Sequence, residues 1–345
     1  MLRRLLPILL ALTPIVLVAH YLLHAGGTLV FVLSALALAP LAFVIGESTE
    51  NVAEHTGPGI GGFLNASFGN APELIIALFA IGSGLPDVVR GSITGSIVST
   101  SLLVLGCAWV AGGEGTFAAG SLLRQLGLIV SAALLFLIPS VPSWAGDPER
   151  HSLWLATVPV AAILLTAYLM LTVKSLRAHA ASHTSAASED AWSLGRGIAT
   201  LAAATIATAL VSETLVGSID EFTRSLGLSR FFVAAVIVAI VGNAAEQGGA
   251  VVVARRGHAH LAAEIAISSP TQIAVFVAPT IALLSPLFGT ALPLAFRPVE
   301  LAAIGGAALL VALTIRNGRA TRAEGVVLVA AYAVVVVAFA LSGDR

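Results

Sequence analysis

The sequence predicts an all-α integral membrane protein of eleven transmembrane helices, and three observations carry that reading. Only 10% of the 345 residues are charged while 58% are hydrophobic, against roughly 25% charged in soluble domains. A soluble chain of this size cannot cover its surface with so few charges, whereas a lipid-facing surface has no need of them. Apolar runs of about 20 residues, the length that spans a hydrocarbon core, recur along the whole chain. No strand-like alternation is present, and in a bilayer only helices or closed barrels satisfy the backbone; the β-rich run Val334-Val-Val-Val-Ala sits inside a helix-length segment.

Taken in order, the expected segments are residues 5–23, 28–54, 60–81, 87–111, 121–139, 152–176, 197–217, 229–255, 260–284, 298–315 and 322–341. The first follows Met1-Leu-Arg-Arg, lacks a small-residue cleavage site and is longer than a usual signal-peptide core, so it reads as a retained helix. Residues 177–196 contain Ala181-Ser-His-Thr-Ser-Ala-Ala-Ser-Glu-Asp190, a small, polar stretch with the composition of a linker. It divides six segments from five. The expected organisation is a first helix (1–27), a five-helix repeat (28–176), the linker (177–196) and a second five-helix repeat (197–345).

Lys and Arg set the orientation, since they concentrate on the cytoplasmic side. With the N-terminus inside, the inner segments hold Arg3, Arg4, Arg124, Lys174, Arg177, Arg196, Arg255, Arg256, Arg316, Arg319 and Arg322. The outer ones hold Arg90, Arg150, Arg224, Arg230, Arg297 and Arg345, a ratio of eleven to six. Because these cations are dispersed at segment ends, nucleic acid is not expected as a partner; the lipid bilayer is. The single cysteine, Cys107, excludes an internal disulfide. The Ala-, Val- and Arg-rich composition points to a bacterial inner membrane. Oligomeric state is not readable from the sequence.

The duplication is visible in the residues. Gly69-Asn70-Ala71-Pro72-Glu73 recurs 173 positions later as Gly242-Asn243-Ala244-Ala245-Glu246. One element earlier Thr49-Glu50 is echoed by Ser212-Glu213; one element later Gly95-Ser-Ile-Val-Ser-Thr100 is echoed by Ile267-Ser-Ser-Pro-Thr-Gln272. The interval from motif glutamate to Thr100 or Gln272 is 27 in one half and 26 in the other. Five helices per half is an odd number, so the halves must be inverted relative to each other, the plan of many secondary transporters.

A carboxylate at membrane depth costs about 2.5–3.5 kcal/mol on insertion scales, so Glu73 and Glu246 need partners. Ca²⁺ wants six to eight oxygen ligands. Two carboxylates facing each other neutralise it, with the amide oxygens of Asn70 and Asn243 and carbonyls freed at a Pro72 helix break as further ligands. The same carboxyl groups carry protons, because burial favours their neutral form and a nearby cation the ionised one. Metal and proton therefore compete for one site, which with alternating access gives exchange. Glu50 and Glu213 are the next candidates, for passage of protons or cations. Ser96, Ser99, Ser269, Thr271 and Gln272 read individually as interhelical hydrogen-bonders, with Ser99 and Gln272 placed on the pathway. His55 is the one histidine considered for a proton role, His258 and His260 being expected in solvent. Arg297 and Glu300 are expected to pair locally. No cofactor is expected; Ca²⁺ is the transported ion.

Gly69-Asn-Ala-Pro-Glu-Leu-Ile-Ile-Ala-Leu-Phe-Ala and Arg90-Gly-Ser-Ile-Thr-Gly-Ser-Ile-Val-Ser resemble the first signature of the calcium/cation–proton exchanger (CAX) family. Ser212-Glu-Thr-Leu-Val-Gly-Ser-Ile219, Val241-Gly-Asn-Ala-Ala-Glu246 and Ser269-Pro-Thr-Gln-Ile-Ala-Val-Phe-Val277 resemble the second. The resemblance covers roughly residues 28–315. It implies eleven helices with two inverted repeats, and Glu73 and Glu246 as the cation and proton site. The sequence departs from the family at Gln247, where a histidine is usual, which removes a titratable group from the pathway. Ser99-Thr100 replaces a Ser-Asn pair, Pro72 replaces Thr, and the linker carries only Glu189 and Asp190 where relatives are acidic. Na⁺-coupled Ca²⁺ exchange or monovalent cation exchange on the same scaffold stays open. An intramembrane hydrolase is disfavoured by the absence of His-Glu-x-x-His and Gly-x-Ser-x-Gly, so no enzyme is expected; a passive channel is the remaining alternative.

Overall fold

Helix ends follow prolines and the polar motifs more than the limits of the apolar runs. The computed structural model describes residues 2–112, 115–146, 151–180 and 192–344. Helix α1 (Leu2–Leu10) and α2 (Leu12–Tyr21) are separated at Ala11; the ring of Pro14 conflicts with the carbonyl four residues back, at Leu10. Helix α3 (Gly27–Phe68) stops four residues before Pro72, which lies in the first turn of α4 (Ala71–Gly82). Pro72 thus starts a new helix and does not interrupt one in mid-span.

The chain continues through α5 (Pro86–Val98), π turns at Ser99–Val104 and α6 (Leu105–Gly112), then α7 (Gly120–Ser143), α8 (His151–Ala180) and α9 (Leu194–Leu226). Next come α10 (Arg230–Phe232), π turns at Val233–Val238, α11 (Ala239–Gly242) and α12 (Ala244–Arg255). Helix α13 (Ala259–Gln272) carries Pro270 inside it and opens directly into π turns at Ile273–Val277 before α14 (Ala278–Leu284). Local π adjustment is one way a membrane helix re-satisfies the groups a proline frees. Helices α15 (Pro298–Ile315) and α16 (Arg322–Ser342) complete the bundle.

Among the described residues, eight helices are long and apolar enough to cross a membrane. The bent pair Arg230–Gly242 with Glu246–Arg255 makes a ninth if counted as one span, and Leu6–Tyr21 and Ala71–Gly82 are shorter apolar helices. One expected boundary is wrong: segments 28–54 and 60–81 are not separated near residue 57. The polar run that suggested a loop is helix surface. Asn51, His55 and Thr56 return their side chains to carbonyls one turn back, and Glu47, Glu50, Ala53 and Gly61 face a cavity. The expectation of no strand also needs correction. Strand β1 (Gly115–Thr116) pairs antiparallel with β2 (Arg319–Ala320), because two interhelical loops meet at the same end of the bundle. Arg90, one of the cations counted on the outer side, is itself buried and pairs at 2.8 Å with Asp87, whose side chain is 30% exposed. Residues 181–191 of the expected linker, Glu189 and Asp190 included, lie outside the described residues.

Polarity is distributed inside out. Leu155, Met170, Val334 and Leu341 are exposed, whereas Asn70, Glu73, Ser96 and Asn243 are buried. Helices α3 and α9 pack along each other. Gly27 N donates to Glu221 Oε1 at 2.7 Å, the Phe31 and Phe222 rings stack at 4.1 Å, and the Ser34 and Thr214 hydroxyls bond at 3.0 Å. The same end of the bundle is tied by Asp344, whose carboxylate accepts from the N–H groups of Arg230 and Phe231, and by Trp144 Nε1 donating to Phe296 O. At the opposite end Trp192 N donates to Asn51 Oδ1 at 3.0 Å.

A close approach between the halves uses Gly91 and Gly95, a GxxxG spacing on α5. A Cβ at Gly95 would lie 2.0 Å from the Ala235 carbonyl oxygen in the π turns after α10. Gly95→Ala is therefore expected to destabilise the bundle by about 1–3 kcal/mol through overpacking, read as a lower melting temperature in detergent. An unchanged melting temperature would mean that α5 can move away from this contact without cost.

Candidate ion-binding site

The two motifs fold alike. Helix α3 ends at Phe68 and α4 begins at Ala71; α11 ends at Gly242 and α12 begins at Ala244. The residue at each break is an asparagine in the sparsely populated bridge region: Asn70 at φ −102°, ψ 17° and Asn243 at φ −92°, ψ 7°. The second break turns the chain by 56°. Glu73 and Glu246 each stand three residues past their asparagine, in the first turn of the following helix. A carboxylate there is favoured by the free N–H groups and the helix dipole, while the helix that has just ended presents carbonyls without intrahelical partners.

Each break is tied to the other half of the chain. Asn70 Nδ2 donates to Gln272 Oε1 at 2.8 Å. Asn243 Nδ2 donates to Ser96 Oγ at 2.8 Å and to Ala239 O at 2.9 Å. Glu73 packs against Gly242, where a Cβ would sit 3.2 Å from Glu73 Oε1, and its carboxylate interacts electrostatically with that of Glu246. The Ser269 hydroxyl lies against Glu246. Glu73 Oε2, Glu246 Oε2 and Asn243 Oδ1 are shielded from solvent and have no hydrogen-bond partner among the described residues. A buried acceptor left unsatisfied costs roughly 1–3 kcal/mol, more when charged. Three such oxygens at one place form an acceptor set suited to a proton or a cation.

A cavity of about 680 Å³ runs in beside Glu47 and Glu50 and ends at Gly69, Gly242, Glu246 and Gln272. Glu73 lies beyond it, bordering a void of only about 10 Å³ with Ser92 and Ser96, closed by Ile93, Ile273, Val277 and Ile281.

The remaining candidates are distributed unevenly. Glu50 is in the cavity, but Glu213 is on an exposed face of α9 beside Tyr21 and away from it. The geometry does not bring these two together. Gln247 closes the first turn after the break, its N–H donating to Asn243 O at 3.0 Å. Ser99 is fully buried at the start of its π turns, and among the described residues its hydroxyl has no hydrogen-bond partner and is not part of the cavity lining. Ser96 and Ser269 are the hydroxyls beside the motifs. An offset of 23 from Glu73 to Ser96 and from Glu246 to Ser269 marks them as equivalents. Glu47 was not singled out in the sequence. Its signal is the i, i+3 spacing to Glu50, which places both on one helix face. His55 is exposed and bonded to Asn51 O, and Arg297 pairs with Glu300 as expected.

Paired helix breaks carrying carboxylates with shielded oxygens, one of them lining a cavity, are an arrangement suited to a secondary transporter. A family model described as sodium/calcium exchanger protein matches residues 26–177 and 196–341, and the chain belongs to that family. It is 35% identical to the Ca(2+)/H(+) antiporter of Synechocystis sp., with 96% of each chain covered. It is also 35% identical to the Ca(2+)/H(+) antiporter ChaA of Bacillus subtilis, over 93% of this chain and 94% of that one. Among solved structures it is similar to native YfkE, with a TM-score of 0.83, 33% identity, and 98% and 99% of the two chains covered. The sodium-calcium exchanger NCX_Mj shares the fold at a TM-score of 0.54 and 21% identity. The resemblance to cation–proton exchangers therefore holds along the whole chain.

Proposed function

We propose that this protein is a secondary antiporter exchanging Ca²⁺ for protons across a bacterial inner membrane, with Glu73 and Glu246 as the shared cation and proton site. One observation carries the reading: both carboxylates stand in the first turn after a matched helix break, each with a buried oxygen that has no hydrogen-bond donor among the described residues. Two carboxylates balance the charge of Ca²⁺, and Asn243 Oδ1 with the carbonyls at the breaks supplies further oxygen ligands. Protonation of the pair releases the metal, and the metal displaces the protons, so neither crosses alone. The relatives named as Ca(2+)/H(+) antiporters support this coupling.

In this reading the chain crosses the membrane eleven times, as a first helix followed by two inverted five-helix repeats. The short helices Leu6–Tyr21 and Ala71–Gly82 serve as spans together with the bent pair. The N-terminus is inside, and the cavity then opens to the cytoplasm, since Glu50 stands about 35 Å along α3 from Gly27 and α13 enters from the Arg255-Arg256 turn. The closed path beyond Glu73 is the other half of the cycle, and alternating access exchanges the two.

The test is Ca²⁺ flux into proteoliposomes under an imposed pH gradient or an imposed Na⁺ gradient. Uptake is expected to follow the pH gradient and to ignore Na⁺. If Ca²⁺ instead follows Na⁺ and ignores the pH gradient, the proton assignment is wrong and the site is that of a Na⁺-coupled exchanger.

A further inference from the structure

Helix α13 and the turns that follow it pass from an open environment into a sealed one. Ile265, Ser268, Ser269 and Gln272 line the cavity that ends at Glu246. Further along the same rod Ile273, Val277 and Ile281 line the void beside Glu73. Their four-residue spacing sets them in one row on a helix, and Ile93 of α5 faces the same void. All four are 3% exposed or less. The void measures about 10 Å³, at the lower limit of the roughly 10–15 Å³ that a single water needs. Among the described residues its polar lining is confined to Glu73, Ser92 and Ser96. An apolar constriction of this kind blocks water and ions by staying dry.

The void repeats the inner end of the cavity in the other half of the chain. An offset of 173 residues relates Glu73 to Glu246, Ser96 to Ser269 and Ser92 to Ile265, and the second member of each pair lines the cavity. The same offset relates Ile93, Ile273 and Ile281 to Ala266, Thr100 and Ala108. Each isoleucine therefore has a smaller mirrored partner. The apolar plug belongs to one half-site and is no by-product of the duplication.

We infer that Ile93, Ile273, Val277 and Ile281 form a dry gate beside Glu73 that keeps protons from crossing when no cation is exchanged. The cavity is wide enough for water up to Glu246, and Glu73 packs against Gly242 at the end of that cavity. A file of water past Ile281 would complete a path along which protons pass from carboxyl to carboxyl with no Ca²⁺ bound. The inference rests on the exchange reading above and adds to it the side chains that make exchange obligatory.

The experiment measures proton flux into proteoliposomes down an imposed pH gradient, with Ca²⁺ removed by a chelator and charge compensated by K⁺ and a K⁺ ionophore. Ca²⁺ uptake is followed in parallel. The proteins are wild type, Ile281→Ala, Ile93→Ala, Val277→Thr and Ile97→Ala. Val277→Thr keeps the shape of the side chain and adds a hydroxyl that water can wet. Ile97, fully buried on α5 and not among the residues lining the void, controls for lost packing. Wild type is expected to hold the gradient, and the three gate variants to leak protons at least ~10-fold faster. Ile97→Ala should stay at the wild-type leak. If an alanine variant fails to insert, Val277→Thr decides. Gate variants as tight as wild type, or an equal leak from Ile97→Ala, overturn the inference and leave the exchange reading intact. A wild type that moves no Ca²⁺ with a pH gradient overturns the proposed function instead, and the gate is still read, because its leak is measured without Ca²⁺.

Discussion

Glu73→Gln is expected to abolish Ca²⁺ uptake driven by a pH gradient, by more than ~100-fold, and Glu246→Gln to do the same. Glutamine keeps the shape and one oxygen but removes the charge and the exchangeable proton. The site then offers one negative charge to a divalent ion in a setting where an uncompensated buried charge costs about 3–5 kcal/mol, each 1.36 kcal/mol being tenfold. The fold should survive, because Gly242 accommodates the Glu73 side chain by contact alone and an amide retains the same volume. Isotope flux in proteoliposomes, normalised to the amount of protein inserted, reads the effect. Since the two residues sit at equivalent breaks, each single variant should be as inactive as the double. Wild-type flux in either one would remove the central claim.

Asn243→Ala is expected to lower transport about tenfold and to destabilise the second break. The alanine removes a donor that serves Ser96 Oγ and Ala239 O and an acceptor, Oδ1, that has no protein partner. Loss of a buried hydrogen-bond partner costs roughly 1–3 kcal/mol. Ser96→Ala separates the two roles, since it deletes the tether and leaves Oδ1 in place. If Asn243 acts as a ligand, Asn243→Ala should raise the half-saturating Ca²⁺ and Ser96→Ala should change it much less. Equal effects on affinity would make the asparagine a spacer that sets the break and nothing more.

Much of this site was legible in the sequence because its signals are local. A glutamate inside an apolar run, a glycine–asparagine pair before it and a repeat of the set are all readable without contacts, and they single out Glu73, Glu246, Asn70 and Asn243 as candidates. One error has a physical cause. The run Glu47 to Gly61 has the polarity of a loop, yet α3 continues through it to Phe68, with Glu47, Glu50, Ala53 and Gly61 lining a cavity. Ser96, read in the sequence as an interhelical hydrogen-bonder, bonds Asn243 and follows an offset of 23 that the intervals of 27 and 26 do not mark. The unequal placement of Glu50 and Glu213 had no sequence signal at all: a repeat states what two residues have in common, and one conformation shows where they differ.

Helices α3 and α9, with 42 and 33 residues, are about 63 Å and 50 Å long at 1.5 Å per residue, while the hydrocarbon layer is about 30 Å thick. Rods of that length cannot stand upright inside it. They lean across the bilayer or project from it, and they are clasped to each other where Gly27 meets Glu221 and Phe31 meets Phe222. Any change of tilt in this pair redistributes apolar surface between lipid and water. The membrane's own thickness thereby becomes a mechanical load on the protein.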